Sequence, residues 1–450
     1  IMEFWVYLCF QTLYKIKSFN FYQLNLFYMR KLFFLLGLVY LFNSCSKKDN
    51  FEVISISEGL SESIKSIDEE NSIEGKSNCE NGLAGIYPCN GYDLISRIPI
   101  EYFESIEGND SWGWTDSIDG KEYALMGLDD GTAFVDISDP KSPKFLGKLP
   151  SSTVKSSWRD IKVYKDYAFI VSEAPGHGLQ VFDLKKLRID NTEQVFESNF
   201  NLNSFGNAHN IAINEDSGFA YILGSKLFDG GPAFIDINSP LNPSIVGGYS
   251  FSSYTHDAQV VNYIGPDIRF KEKEILFGSN SIGGENNQII ILDVTDKKNP
   301  KLISSIEYSN AGYTHQGWLS DDHKYFFLGD ELDEINIGHR TKTRVFDIQN
   351  LENPIIHDTY YGQTASIDHN LYVKGSKIYL ANYTSGMRVV NINNINDKDF
   401  KEEGFFDTYP SDNSTNYFGA WNVYPFFSSG LILISDINSG LFIVKPSNDL

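Results

Sequence analysis

Short apolar runs recur along the chain, each broken by a polar turn. One phrase dominates, an apolar run ending aliphatic-Asp-aliphatic. It reads Ala133-Phe134-Val135-Asp136-Ile137, Gln180-Val181-Phe182-Asp183-Leu184, Ala233-Phe234-Ile235-Asp236-Ile237, Ile290-Ile291-Leu292-Asp293-Val294 and Arg344-Val345-Phe346-Asp347-Ile348. Degenerate copies follow at Val389-Val390-Asn391-Ile392 and Phe442-Ile443-Val444. Four copies run into a Pro-bearing turn, as at Asp139-Pro140-Lys141-Ser142-Pro143 and Ser239-Pro240-Leu241-Asn242-Pro243. A second marker, an aromatic or His next to a small or polar residue, opens each copy. The seven are Trp112-Gly113-Trp114, Trp158-Arg159-Asp160, His209-Asn210, His256-Asp257, His315-Gln316, His369-Asn370 and Trp421-Asn422. Runs this short, without a 3.6-residue period and bounded by turn formers, predict strands.

Each copy then holds four strands: a after the marker, b (Tyr167 to Val171 is one), c carrying the Asp phrase, and d. Seven copies about fifty residues apart, four short strands each, predict an all-β, seven-bladed β-propeller over residues 79–450. A β-solenoid would have shorter repeats, and two sandwiches would not repeat so faithfully. The seventh copy stops at Val444-Lys445-Pro446 without a strand d. Residues 93–103 precede the first marker and have no blade of their own. They are expected to supply the missing strand, closing the ring and removing its free sheet edges.

Composition agrees with this reading. Aromatic residues reach 14%, and aromatic side chains favour pleated, half-buried surfaces. A net charge of −22 excludes a basic footprint for nucleic acid and docking on anionic lipid. Four cysteines in 450 residues exclude a disulfide-built scaffold and a multi-zinc protein.

The first 44 residues do not share the repeat. The chain opens on Ile1, and Met29 is a natural start: Met29-Arg30-Lys31 is a basic n-region and Leu32 to Phe42 an apolar h-region. Leu41-Phe42-Asn43-Ser44-Cys45 closes it. The shape is that of a secretory signal too short to span comfortably, and its end resembles a bacterial lipobox, with Cys45 as the lipidated residue. An uncleaved N-terminal anchor is the alternative. Residues 45–78, rich in Ser, Glu, Asp, Lys and Asn, read as a lipid-anchored flexible tether. Cys79 and Cys89, without His neighbours, are expected to form a disulfide in an exported protein.

Several longer phrases carry a resemblance: Trp158-Arg159-Asp160-Ile161-Lys162-Val163-Tyr164, Asp368-His369-Asn370-Leu371-Tyr372-Val373, Tyr379-Leu380-Ala381-Asn382-Tyr383-Thr384-Ser385-Gly386 and Gly419-Ala420-Trp421-Asn422-Val423-Tyr424-Pro425. They resemble the choice-of-anchor B family, built from LVIVD-type repeats, over roughly residues 79–446. The resemblance implies an exported surface propeller, joined to different surface anchors in different members, of which a lipobox would be one. It implies no activity.

Antiparallel pairing of strands a and b puts the start of a beside the end of b. The b ends are Asp129, Glu173, Ser225, Ser279, Asp330, Asn382 and Asp436. One face of the disc should therefore gather His209, His256, His315 and His369, with Asp160, Asp257, Glu173 and Asp330 nearby, while His177, His323, His339 and His357 lie scattered. Two readings stand beside each other. The His ring is a repeated hydrogen-bond device, or it is a ligand site at the channel mouth, with a divalent metal ion as its cofactor. In the second case affinity should fall as pH drops through about 6.5, since binding needs neutral imidazole. The strand-c Asp is expected to cap a turn. Asp330-Glu331-Leu332-Asp333-Glu334 reads as a solvated acidic loop, with Ca²⁺ as the competing reading. No Gly-x-Ser-x-Gly, His-Glu-x-x-His or phosphate loop occurs. The leading expectation is an exported, membrane-anchored binding or scaffolding module, monomeric, at the outer membrane or cell surface. It would meet a surface protein or a glycan and no nucleic acid. The alternative is an extracellular hydrolase or lyase with a metal-assisted His/carboxylate site.

Overall fold

A computed structural model describes residues 72–188, 193–250 and 254–447. The leader, Cys45 and the tether up to residue 71 lie outside them. The chain divides at Ser66, and the unit Ile67–Leu450 holds every described residue. Among the described residues no helix is long and apolar enough to cross a membrane.

Seven sheets, each holding an antiparallel four-stranded meander, form a seven-bladed β-propeller. Blade one uses Gly108–Thr115, Glu122–Leu128, Gly131–Asp136 and Lys144–Pro150. Blades two to six repeat the meander, with inner strands Arg159–Tyr164, Asn210–Asn214, Tyr254–Asn262, Thr314–Leu319 and Leu371–Lys374. Blade seven uses Ala420–Tyr424, Ile432–Asp436 and Gly440–Pro446, and its fourth strand is Tyr92–Ile98. The two chain ends thus seal the ring, with Leu94 paired to Val444 and Ile98 to Leu441. The closing strand takes only the first part of the expected 93–103. After Pro99 the chain turns into a 3-10 helix at Ile100–Phe103, because proline cannot donate to a ladder.

The strand-c phrase is apolar because both faces of blades pack against neighbours. Phe134, Phe182, Phe234 and Phe346 are all fully buried, and Phe134 stacks on Phe182 of the next blade at 4.5 Å. The Asp that ends each phrase caps the following turn. Asp136, Asp236 and Asp347 each accept from the backbone N–H two residues on at 2.9 Å, and Asn391 does the same in the degenerate copy.

Backbone pairing reaches into the stretch that composition reads as tether. Glu74 and Ser77, in the stretch read as tether, bond backbone to backbone with Arg97 and Leu94 of the closing strand at 2.9 and 3.0 Å. Cys79 and Cys89 are disulfide-bonded. The strand Tyr87–Asn90 lies on the outer edge of blade six, Cys89 opposite Phe406. The bridge therefore holds the chain just ahead of the ring-closing strand, and the edge of blade six is covered.

Candidate functional site

The inner strands run from one mouth of the axial channel to the other, so successive layers of side chains see different surroundings. The first layer lines a cavity of about 430 Å³ bounded by His209, His256, His315, His369, Trp421 and Glu331, with Trp158 and Tyr383. The four expected histidines do share one mouth. Their rings follow one another at 4.2, 4.3 and 4.3 Å between centroids, and Trp421 continues the series 4.7 Å from His369. One marker position on each of four consecutive blades produces this spiral.

Hydrogen bonds between blades fix the ring orientations. His256 Nδ1 lies 2.9 Å from the His315 carbonyl oxygen, and His369 Nδ1 lies 2.5 Å from that of Trp421. A carbonyl only accepts, so each Nδ1 carries the proton and each Nε2 keeps a free lone pair. His209 Nδ1 instead meets Glu173 Oε1 at 2.7 Å, and this bond holds the Glu173 carboxyl below its ordinary range. Burial pushes His369 down to about 3 and moves His256 and His315 well below the usual imidazole value. These rings are neutral at physiological pH, the form that ligates metal.

The carboxylate that completes the cluster is Glu331, one residue beyond the expected position. Its oxygens lie 3.7 Å from His315 Nε2 and 3.9 Å from His369 Nε2. One donor atom from each of these three residues falls within 4.8 Å of the others. Burial pushes Glu331 up to about 7, and Tyr383 donates its hydroxyl to Oε1 at 2.8 Å. The described residues lining this mouth include no Lys or Arg. Neutral imidazoles, a carboxylate and no competing cation form a donor set suited to a borderline divalent ion with open positions towards the cavity.

Four sequence-based placements change. Asp330 turns away from the mouth: its carboxylate accepts from Tyr308 Oη at 2.8 Å and from the Gly312 and Tyr313 amides, and it pairs with Arg344. The 330–334 stretch is not a solvated loop. Asp330, Asp333 and Glu334 are buried, with Lys342 and Arg344 against Asp333 at 3.0 and 2.8 Å. Asp160 and Asp257 lie one layer deeper than the His ring. Asp160 holds Lys162 Nζ at 2.5 Å and accepts from the Ile211 amide of blade three at 2.7 Å. Asp257 accepts from Ala258 N and lines the opposite mouth. Trp112 also lines that opposite mouth rather than opening blade one. At the His mouth blade one presents Gly108, where a Cβ would strike the Asp436 carbonyl of blade seven. Glu331 could have been found by reading one residue past each strand-b end.

Of the scattered histidines, His177 is fully buried. Its Nδ1 donates to the Gly178 carbonyl, and its Nε2 lone pair accepts from Arg159 Nη1 at 2.9 Å. It ties blade two together and does not reach the cavity.

The sequence matches no family model and no curated protein. Solved structures do share the fold. Hydrazine synthase of Kuenenia stuttgartiensis is 12% identical with a TM-score of 0.51, over 72% of this chain and 92% of that one. The β-propeller domain of Cps50 (Swd1) from Myceliophteria thermophila is 10% identical with a TM-score of 0.47, over 72% and 93%. A functionally unknown protein from Desulfotomaculum acetoxidans is 13% identical with a TM-score of 0.46, over 63% and 82%. At such identities the likeness is one of fold alone.

Proposed function

We propose that this chain is an exported, lipid-anchored β-propeller of the choice-of-anchor B type, serving as a binding module at the cell surface. Its ligand site is the His mouth, and the ligand held there includes a divalent transition-metal ion. The observation that carries the metal reading is the convergence of His315, His369 and Glu331 on one point of the cavity. The lipobox-like Leu41-Phe42-Asn43-Ser44-Cys45 and the long repeat phrases support the anchor and the family. The Cys79–Cys89 bridge suits an oxidising compartment.

Metal binding would use Glu331 as the carboxylate, so about one proton leaves per ion and affinity climbs as pH rises through about 7. The imidazoles add little to this dependence, because His369 stays neutral down to about 3. The pH dependence then follows the Glu331 carboxyl rather than free imidazole at about 6.5.

The test is calorimetric titration of the full chain with Zn²⁺ and Ni²⁺, alongside metal analysis after dialysis. The parent should hold one ion. The paired change His315→Ala with His369→Ala should remove it without unfolding the ring. Equal binding by that variant would end the metal reading. For the anchor, Cys45→Ala should release the protein from membranes, and retention of unprocessed Cys45→Ala protein there would refute lipidation. A second reading is a metal-assisted hydrolase or lyase acting on extracellular glycan or peptide. It is favoured by the open cavity beside Glu331, and turnover lost on chelation would establish it.

A further inference from the structure

The opposite mouth holds a second cavity, of about 350 Å³, built on different chemistry. Blades five, six, seven and one supply one wall, an unbroken group of aromatic rings. Trp318 meets Tyr372 at 4.9 Å and Trp112 meets Tyr424 at 5.0 Å, with Tyr372 and Phe426 at 5.8 Å between them. Trp318, Tyr372, Tyr424 and Phe426 lie three to five places beyond His315, His369 and Trp421, and Trp112 lies four beyond Gly108, where an inner strand leaves the packed ring. They remain accessible from the cavity although the rings pack edge to face.

The other wall, from blades two to four with Gln316 of blade five, is polar and aliphatic. Asp257 uses Oδ1 on the Ala258 amide, and its second oxygen makes no hydrogen bond with the described residues. Gln316 is 3% exposed, and its Oε1 accepts from the Leu371 amide at 2.9 Å. Among the described residues its Nε2 has no partner, and Gln316 lines the cavity. Gln259 repeats the arrangement, with Oε1 on the Leu319 amide and Nε2 unused. Two amide donors and the Asp257 acceptor are thus presented beside the aromatic rings, with the exposed Glu215 carboxylate at the rim.

The cation of this mouth is already committed. Lys162 Nζ is shared between Asp160 at 2.5 Å and Asp110 at 3.3 Å, with the Ile161 carbonyl at 3.3 Å. It also lies 4.5 Å from the centre of the Trp112 ring. An incoming anion would find no free positive partner, and an incoming cation would meet the ammonium already seated on the aromatic wall. A hydroxyl both donates and accepts, so it can satisfy the Gln amides and the Asp257 oxygen together. A ring with an apolar C–H face and a hydroxyl rim matches both walls.

We propose that the Trp112/Trp318/Tyr372 mouth is a saccharide-binding site for a neutral sugar ring, stacked on the aromatic wall and hydrogen-bonded by Asp257, Gln259 and Gln316. It is separate from the His mouth and does not depend on a metal there. Two tryptophans line it, so intrinsic fluorescence of the full chain reports occupancy. The probes are cellotriose, maltotriose, xylotriose and triacetylchitotriose, with choline as the cationic control.

At least one trisaccharide should shift the emission saturably, and choline should not. Trp318→Ala should weaken that binding about tenfold or more, given the size of an aromatic contact. Asp257→Asn, close to isosteric, should weaken it while preserving the melting temperature and so guards against misfolding in the first variant. Zn²⁺ binding should be unchanged in both. Silence with all four sugars, a response to choline instead, or sugar binding unaffected in Asp257→Asn and Trp318→Ala would each overturn the proposal.

Discussion

The two mouths of one channel are built from the same inner strands, yet one is a spiral of imidazoles and the other a wall of aromatic rings. His315 and Trp318 illustrate this within a single strand, Thr314–Leu319. His315 belongs to the first mouth and Trp318 to the second. Between them lies a waist where polar side chains clamp neighbouring blades: Asp160 accepts from Ile211 N, Gln316 from Leu371 N, and Asn422 donates to the Ser111 carbonyl. A repeated residue can therefore be repeated for bonding at one level and for exposure at another. Position along the strand decides which.

The sharpest way to break the comparison is to cut the waist. Among the described residues Lys162 is the only cation beside Asp110 and Asp160, so Lys162→Met leaves two buried carboxyls without their partner. A loss of about 3–5 kcal/mol in unfolding free energy is expected, read by denaturant titration, with both mouths weakened together. A loss under 1 kcal/mol would mean that the waist is not what holds the mouths in register.

Sharpening the difference between mouths is a matter of affinity. His369→Ala should cost the His mouth about 3–4 kcal/mol of Zn²⁺ binding, on the order of several hundredfold, and leave the sugar-induced change in emission untouched, although the baseline shifts through Trp421. Calorimetry and emission spectra on the one variant separate the two sites.

The bridge at Cys79–Cys89 lies outside both mouths and should act on stability alone. Its sequence separation is 10, and closure of so short a loop contributes about 2–3 kcal/mol through the unfolded chain. Reduced protein, or Cys89→Ser, should unfold correspondingly earlier with metal affinity unchanged.

The smallest effect concerns acid. Burial, with Arg159 beside the ring, pushes His177 down to about 4. Above the ordinary imidazole value of about 6.5 the ring is neutral folded and unfolded, and stability does not change with pH on its account. Between 6.5 and 4 only the unfolded chain takes the proton, so stability is lost as pH falls. The loss is about 2 kcal/mol by pH 5. His177→Gln should flatten this part of the stability curve, measured as melting temperature against pH.

Much of the fold was legible. The Asp136, Asp183, Asp236, Asp293 and Asp347 phrases recur because each blade buries the same strand and turns the same corner. The missing strand after Val444 pointed to the N-terminal segment, and the histidine markers pointed to one mouth. Asp330, Trp112 and the 330–334 stretch were misplaced. Strand-end arithmetic is good to a residue or two, while facing inward or outward alternates at every residue. A slip of one residue exchanges Asp330 for Glu331.

The sequence by itself determined the blade count, the strand that closes the ring and the four imidazoles at one rim, since these follow from periodicity and from antiparallel pairing. Tertiary structure alone decided that Glu331 rather than Asp330 meets His315 and His369, because a carboxylate's partners depend on which way its side chain turns at the strand end. It alone gathered Trp112, Trp318, Tyr372 and Tyr424 from four blades into one wall. Those residues are separated by between 52 (424 − 372) and 312 (424 − 112) positions in the chain, and only closure of the ring brings Trp112 to the others.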